Sequence, residues 1–322
     1  MNWGIIGLGS MAKKFANSIK ELDDSKLIGI SSNSFLKLAK FGFKNRLKFK
    51  YLFSDYKSIL ACKEINNIYI ATLNNSHHNL IIDCIKSGKN VLCEKPFVMN
   101  SFEAENIKNE LSKSNISFRE AIAYRSHLQT KKIIELLKIN IIGKILNIES
   151  SFGFNAGQPK KKSRLFDKEL GGGAILDLGC YPLTMSSLVA NFNNKDEELI
   201  PKIEMVSGKI HKLGVETHAK AKLVFENSIT ADIFVSLDRN LENSTKIFGS
   251  DGKMIIPEPW LPSKNSIIEI HKKDMIEKIT VNSQLNIFAN QIKLFDKFSS
   301  EKNFKDKFPI MSIDNSVNYV KV

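Results

Sequence analysis

The sequence predicts two α/β domains: a doubly wound parallel sheet over residues 1–121, then an α+β domain over residues 122–322 with a large, mostly antiparallel, open-faced sheet. Three observations predict this. A length of 322 residues exceeds one small module and suits two domains. Up to about residue 120, short apolar runs alternate with helix-periodic segments, the rhythm of crossover connections between parallel strands. Beyond that point strands dominate and alternate apolar with polar residues, as antiparallel strands covered on one face do.

In chain order, strands are expected at residues 3–6, 26–31, 51–53, 68–71, 91–93 and 116–121, with helices at 11–19, 34–41, 56–62, 77–87 and 102–114. Gly88 stands at a helix C′ position, and Asn100 with Glu103 forms an N-terminal capping pair. The second domain opens with a helix at 127–137 and a strand at 144–154, followed by a glycine-led helix at 173–190. A run of strands follows, including 217–225 and 229–237, with a hairpin turn at Asp251-Gly252. A helix at 285–298 and a short segment from Ser312 close the chain.

Hydrophobic residues at 43% and charged residues at 25% are globular proportions. No stretch approaches the ~18 consecutive apolar residues of a membrane span, and the N-terminus runs into a strand without a basic leader, so a cytoplasmic protein with no membrane partner is expected. The net charge of +13 raises the question of nucleic acid. Only five of the basic residues are arginines (Arg46, Arg119, Arg125, Arg164, Arg239) and the lysines are scattered, so no nucleic-acid partner is expected. Cys62, Cys84, Cys93 and Cys180 lack CxxC or His spacing, which predicts buried, reduced thiols and no metal site.

The first strand runs into Gly7-Leu8-Gly9-Ser10-Met11-Ala12 and then a helix. This is a GxGxxA form of the dinucleotide fingerprint, in which glycine permits the tight turn and the approach of backbone N–H groups to a pyrophosphate. It marks Gly7, Gly9, Ser10, Met11 and Ala12 as cofactor-binding. After the second strand no carboxylate is present to meet a ribose 2′-hydroxyl; Ser32, Asn33, Ser34 and Lys37 stand there instead, favouring NADP with NAD possible.

At the end of the fifth strand comes Glu94-Lys95-Pro96, preceded by Gly88-Lys-Asn-Val-Leu92. With the fingerprint, this resembles the Gfo/Idh/MocA family of glucose-fructose oxidoreductases and inositol dehydrogenases. The residues Ile68-Tyr-Ile-Ala-Thr72 followed by His77 resemble that family's fourth strand and dinucleotide loop. The run from Ser163-Arg-Leu-Phe through Gly171-Gly-Gly to Asp177-Leu-Gly-Cys-Tyr181-Pro182 is similar to its branch of dimeric dihydrodiol dehydrogenases and NADP-dependent D-xylose dehydrogenases. Leu73 stands where the family usually has Pro, Asn33 where the branch often has Arg, and Tyr181 where most members have His.

The resemblance implies cofactor contacts from Thr72, His77, Glu94 and Lys95, and a Lys-Pro turn beside the nicotinamide. It also implies a homodimer or homotetramer, built on the uncovered sheet face, where Ala231, Ile233 and Val235 are expected to be buried. From the residues themselves, Asp177 and Tyr181 are four apart on one helix and share a face, while Gly171 to Gly173 are expected to let a ligand approach its N-terminus. A tyrosine is a poor base at its ordinary pKa of about 10, but a nearby ammonium, here Lys95, favours the phenolate. Lys95, Asp177 and Tyr181 are thus the catalytic candidates, with Arg164, Asp177 and Tyr181 meeting a sugar or diol substrate. The expected function is NAD(P)-dependent hydride transfer at a hydroxyl-bearing carbon. The alternative is a non-catalytic dinucleotide-sensing regulatory protein of the same fold.

Overall fold

The computed structural model describes residues 1–193, 199–301 and 309–322. Two compact units emerge. The first comprises Met1–Ile122 and, from the end of the chain, residues 288–301 and Met311–Val317. The second is centred on Ala123–Ile287.

The first unit holds a six-stranded sheet of β1 (Asn2–Ile6), β2 (Lys26–Ser31), β3 (Leu52–Phe53), β4 (Asn67–Ile70), β5 (Asn90–Cys93) and β6 (Phe118–Glu120). The strand order is β3-β2-β1-β4-β5-β6, every pair parallel. Its crossovers carry α1 (Ser10–Ser18), α2 (Phe35–Lys44), α3 (Tyr56–Ala61), α4 (His77–Lys86) and α5 (Ser101–Ser112). Helices on both faces explain why Trp3, Ile5 and Ile6 of β1, and Val91 to Cys93 of β5, are all buried. Asn100 caps α5 by accepting from the Glu103 amide at 2.9 Å, and Glu103 returns a bond to the Met99 amide at 3.0 Å.

The second unit begins with α6 (Leu128–Lys138), then β7 (Ile145–Gly153), a π-helical stretch at Ile175–Gly179 and α7 (Cys180–Ala190). Its strands are β8 (Lys202–Ile210), β9 (Glu216–Val224), β10 (Thr230–Ser236), β11 (Thr245–Gly249), β12 (Gly252–Ile256), β13 (Asn265–Lys272) and β14 (Met275–Asn282). With β7 they form an eight-stranded sheet in the order β14-β13-β12-β11-β7-β10-β9-β8, antiparallel except for the β7–β10 pair. Across six strands, Leu223, Ala231, Ile148, Ile247, Met254 and Ile270 align in register, and all are buried. The neighbouring row runs Lys222, Asp232, Glu149, Lys246, Ile255, Glu269, Lys278 and faces the other way.

This register corrects the expected dimer face. Val235 packs in one cluster with Ala174 and Leu178, so Ala231, Ile233 and Val235 share the helix-covered side, and the open side carries the charged row.

The last two helices, α8 (Ile287–Ser300) and α9 (Ile313–Lys321), bear on the expected second domain of 122–322, because residues 288–301 and 311–317 pack with the first unit. From α8, Ile292 and Phe295 join the core of Trp3, Ile5, Phe15 and Tyr69, and the buried Asp296 carboxylate binds three donors. Trp3 Nε1 lies 3.0 Å away and Asn67 Nδ2 2.7 Å, and the Ser25 hydroxyl donates to its second oxygen. Leaving buried donors unmatched costs about 1–3 kcal/mol each. Asp296→Ala is therefore expected to lower unfolding free energy by about 3 kcal/mol, read from the urea midpoint at unchanged m-value.

Candidate functional site

In the first unit, the carboxyl edge of the parallel sheet gathers most of the residues singled out above. Ile6, Ile70, Cys93 and Glu120 stand in one register row across β1, β4, β5 and β6. Gly7, Ala71, Glu94 and Ala121 therefore follow side by side. Two strand spacings, roughly 10 Å, separate the end of β1 from the end of β5. Strand order reverses between β1 and β4, where such sheets open a ligand crevice.

Gly7 has φ +90°, and a Cβ there would lie 2.6 Å from the Ala71 carbonyl oxygen and 2.8 Å from Thr72 Cγ2. Only glycine fits. At Gly9 the nearest atom to a Cβ would be the Ala71 oxygen at 4.0 Å, so the space above it is open. Gly9 is also the N-cap of α1, whose first turn has no side-chain cap and no acidic residue. Free helix N–H groups under an open glycine form an anion cradle, and the residues present fit a pyrophosphate. Ser10 is exposed and Met11 half-buried. Ala12, expected at the cofactor, is fully buried in the core and instead lets α1 sit close on the sheet.

At the ribose end, Asn33 and Lys37 are exposed. The two serines are engaged locally: Ser32 Oγ accepts from the Ser34 amide at 3.2 Å, and Ser34 Oγ caps α2 through the Lys37 amide at 3.4 Å. Asn33 and Lys37 are the exposed polar side chains here, beside the exposed Phe35 and Leu36.

The Glu94-Lys95-Pro96 turn follows β5, and its Lys95–Pro96 bond is cis. Glu94 accepts from the Tyr69 hydroxyl, and burial pushes its pKa up. His77 was expected to face the cofactor. It is fully buried, its Nδ1 is 2.8 Å from the Pro96 oxygen, and burial lowers its pKa. A carbonyl only accepts, so Nδ1 carries the proton and the neutral ring braces the turn. Thr72 Oγ1 is 2.7 Å from the Ser76 hydroxyl. A group that the motif reading missed completes the bracing: Glu120 Oε1 accepts from the Phe97 amide at 3.3 Å.

In the second unit, Asp177 lies in the π-helical stretch and Tyr181 in the first turn of α7. Arg164 Nη1 is 3.2 Å from Asp177 Oδ1, with the arginine side chain 57% exposed and the aspartate 9%. The Tyr181 ring packs edge-on to Phe152 at 5.1 Å, with Trp260 at 5.8 Å and Tyr124 at 6.5 Å. These rings are fixed by their polar ends, Trp260 Nε1 donating to the Ser151 oxygen at 3.0 Å and Tyr124 bonding Thr184 Oγ1 at 2.7 Å. The glycine run is not an open approach. A Cβ on Gly172 would meet the Asp167 backbone at 2.9 Å, and one on Gly173 would strike the Glu216 carboxylate. Glu216 itself accepts from the Ile175 amide at 2.8 Å and closes this helix end. Among the described residues, no group of three or more His, Cys, Asp or Glu could hold a metal.

Residues 1–120 match the oxidoreductase family with an NAD-binding Rossmann fold, GFO_IDH_MocA, and residues 130–255 match the GFO/IDH/MocA C-terminal domain. The chain is 28% identical over 264 residues to trans-1,2-dihydrobenzene-1,2-diol dehydrogenase of Xenopus tropicalis, covering 81% of this chain and 77% of that one. The mouse (Mus musculus) protein of the same name is 25% identical over 266 residues, covering 82% and 77%. Among solved structures, the 3-ketoreductase KijD10 of Actinomadura kijaniata, in complex with NADP and TDP-benzene, superimposes with TM-score 0.87 at 18% identity over 99% of this chain and 94% of that one. Aldose-aldose oxidoreductase of Caulobacter crescentus, complexed with glycerol, gives TM-score 0.85 at 19% identity, with 100% and 94% covered. The cradle predicts that Gly9→Asp, which puts bulk and a negative charge where the pyrophosphate would lie, abolishes dinucleotide binding by calorimetry while the thermal midpoint shifts little.

Proposed function

The chain belongs to the GFO/IDH/MocA oxidoreductase family, and from that premise we propose that it moves a hydride between a nicotinamide dinucleotide and a hydroxyl-bearing carbon of a sugar or vicinal diol. NADP is preferred over NAD: the loop after β2 presents Asn33 and Lys37 and no carboxylate. The observation that carries the reading is the shared sheet edge, with the Gly7–Gly9 cradle after β1 and Lys95 after β5. Dihydrodiol dehydrogenase relatives and the NADP-bound ketoreductase neighbour support it.

The cofactor's backbone would lie against Gly7, Gly9 and Ser10, with Asn33 and Lys37 at its ribose end. When bound, nicotinamide supplies the hydride acceptor. In oxidation, Tyr181 takes the substrate hydroxyl proton while the hydride leaves the same carbon, and a carbonyl remains. Lys95 serves the same proton transfer from the first unit, and Asp177, held by Arg164, orients the substrate hydroxyls. An apolar C–H face of the substrate meets the half-buried ring of Phe152, which the buried Trp260 backs.

The test is a screen of aldoses, inositols and dihydrodiols with NADP+ and NAD+, following reduced nicotinamide. On a confirmed substrate, Lys95→Met and Tyr181→Phe are each expected to lower kcat by roughly 10² with dinucleotide binding retained. Because both serve one step, the double variant is expected to be little worse than the worse single one. Near-native turnover of Tyr181→Phe would reduce Tyr181 to a packing residue. Retained binding with no turnover on any substrate would favour the sensing alternative.

Assembly as a homodimer belongs to the same proposal. The open sheet face offers alternating charges, with Lys222 paired to Glu204 at 2.8 Å and Lys278 to Glu269 at 3.0 Å. Association through such a face weakens with salt. Light scattering is expected to show a dimer at low ionic strength that loosens near 1 M NaCl; a monomer throughout would refute it. Four free thiols, of Cys62, Cys84, Cys93 and Cys180, suit the reducing cytoplasm that the proposal also assumes.

A further inference from the structure

The Lys95 turn is braced at three points. Tyr69 of β4 donates to Glu94, His77 at the start of α4 donates to the Pro96 oxygen, and the Phe97 amide donates to Glu120 at the end of β6. Glu120 is set by pairing: it lies opposite Cys93, and the Ala121 amide bonds the Cys93 oxygen at 2.7 Å. Glu94 follows Cys93 by one residue and so leaves the sheet on the face opposite Glu120, and the charge of Lys95 acts on both carboxylates. From the end of the chain, the hydroxyl of the buried Ser316 of α9 lies beside Glu120 and lowers its pKa.

We propose that Glu120 is the positioning residue of the Lys95 turn, fixing its backbone through the Phe97 amide and supplying the negative charge that Lys95 answers. This rests on the reading of Lys95 as a proton-transfer group. The charged and titratable groups facing Glu120 are Lys95 and Glu94 on the turn and the Cys93 thiol beside it. The hydroxyl of Ser316 and the Phe97 amide complete its surroundings. Burial is the largest influence and pushes the Glu120 carboxyl up to about 7, Glu94 pushes the same way, and Ser316, Phe97 and Lys95 oppose it. The His77 brace is neutral and does not change charge near neutrality. As pH falls through 7, Glu120 therefore takes up a proton, the turn loses its carboxylate and Lys95 loses a counter-charge.

Glu120→Gln keeps an acceptor for the Phe97 amide and removes the charge, and Glu120→Asp keeps the charge and shortens the reach. In dinucleotide-free, ¹⁵N-labelled protein, the Phe97 amide shift is expected to titrate with a midpoint near pH 7, to stay flat in Glu120→Gln, and to titrate at a displaced midpoint in Glu120→Asp. A flat Phe97 shift in the native protein, or the native titration surviving in Glu120→Gln, would overturn the proposal. The second arm is carbonyl reduction with NADPH, where Tyr181 must be protonated and so imposes no acid limb. There kcat is expected to fall about tenfold per pH unit below 7 in the native enzyme, and the fall is expected to vanish in Glu120→Gln. KM should stay within about twofold and Glu120→Asp should restore the limb. A limb that persists in Glu120→Gln counts against Glu120. If no substrate turns over, the hydride-transfer reading has failed, and the Phe97 titration still decides the role of Glu120.

Discussion

The in-register pairing of Ile6, Ile70, Cys93 and Glu120 fixes where the Gly7, Thr72 and Lys95 loops of the first unit stand. A one-residue slip of any of these strands would exchange the residues packed against its two helix layers and displace the Gly7, Thr72 or Lys95 loop by one position. The row is locked from far away in sequence. Asp296 of α8 binds Trp3 of β1, Asn67 at the start of β4 and Ser25 just before β2, and the separation from Trp3 is 293 residues. One carboxylate thus ties three parallel strands at the edge opposite the site. The exactness of the cradle is purchased by buried polar bonding at the other end of the sheet.

The site edge uses the same device at higher cost. Glu94, His77 and Glu120 each lose hydration around one turn, and each has its pKa moved by burial toward the uncharged form. Such groups are tolerated because each is bonded: to a hydroxyl, a carbonyl oxygen and an amide respectively. A network of this kind leaves the Lys95 backbone little freedom. The role proposed for Lys95 gains from that, since an ammonium held in place has nothing to reorganise when charge develops.

What was legible in the sequence is what depends on local pattern. Short apolar runs of three or four residues marked β1, β4 and β5 because parallel strands are buried on both faces. Gly7 could be read because only glycine takes φ +90° against the Ala71 carbonyl, and the Asn100–Glu103 cap because its bonds close within one turn. What was hidden depends on distant partners. Periodicity showed that α8 is amphipathic and could not say that its apolar stripe joins Trp3 and Phe15. Alternation in β10 separated Ala231 and Val235 from Asp232 and Phe234 without saying which side α7 covers. Glu120 looked like one acidic residue at a strand end, and its importance arises only from the pairing of β6 with β5. Gly172 and Gly173 signalled close approach correctly; the approaching groups are the Asp167 backbone and Glu216 rather than a ligand.

That last substitution bears on what the second unit can receive. A helix N-terminus left open would favour an anionic substrate group. Here Glu216 already occupies the amide of Ile175, and Asp177 answers the cation of Arg164, so the charges around this stretch are largely matched within the chain. What remains beside Tyr181 is a wall of rings with their polar ends tied away, at Ser151 for Trp260 and Thr184 for Tyr124. Such a wall offers apolar faces with a hydroxyl and a half-neutralised carboxylate among them. An uncharged molecule with a C–H face and adjacent hydroxyls suits both, with the half-buried Phe152 ring on one side and the groups of Tyr181 and Asp177 on the other. The lining thus fits the sugar or diol class to which the family and its dihydrodiol dehydrogenase relatives point, and it does so from residues of the second unit.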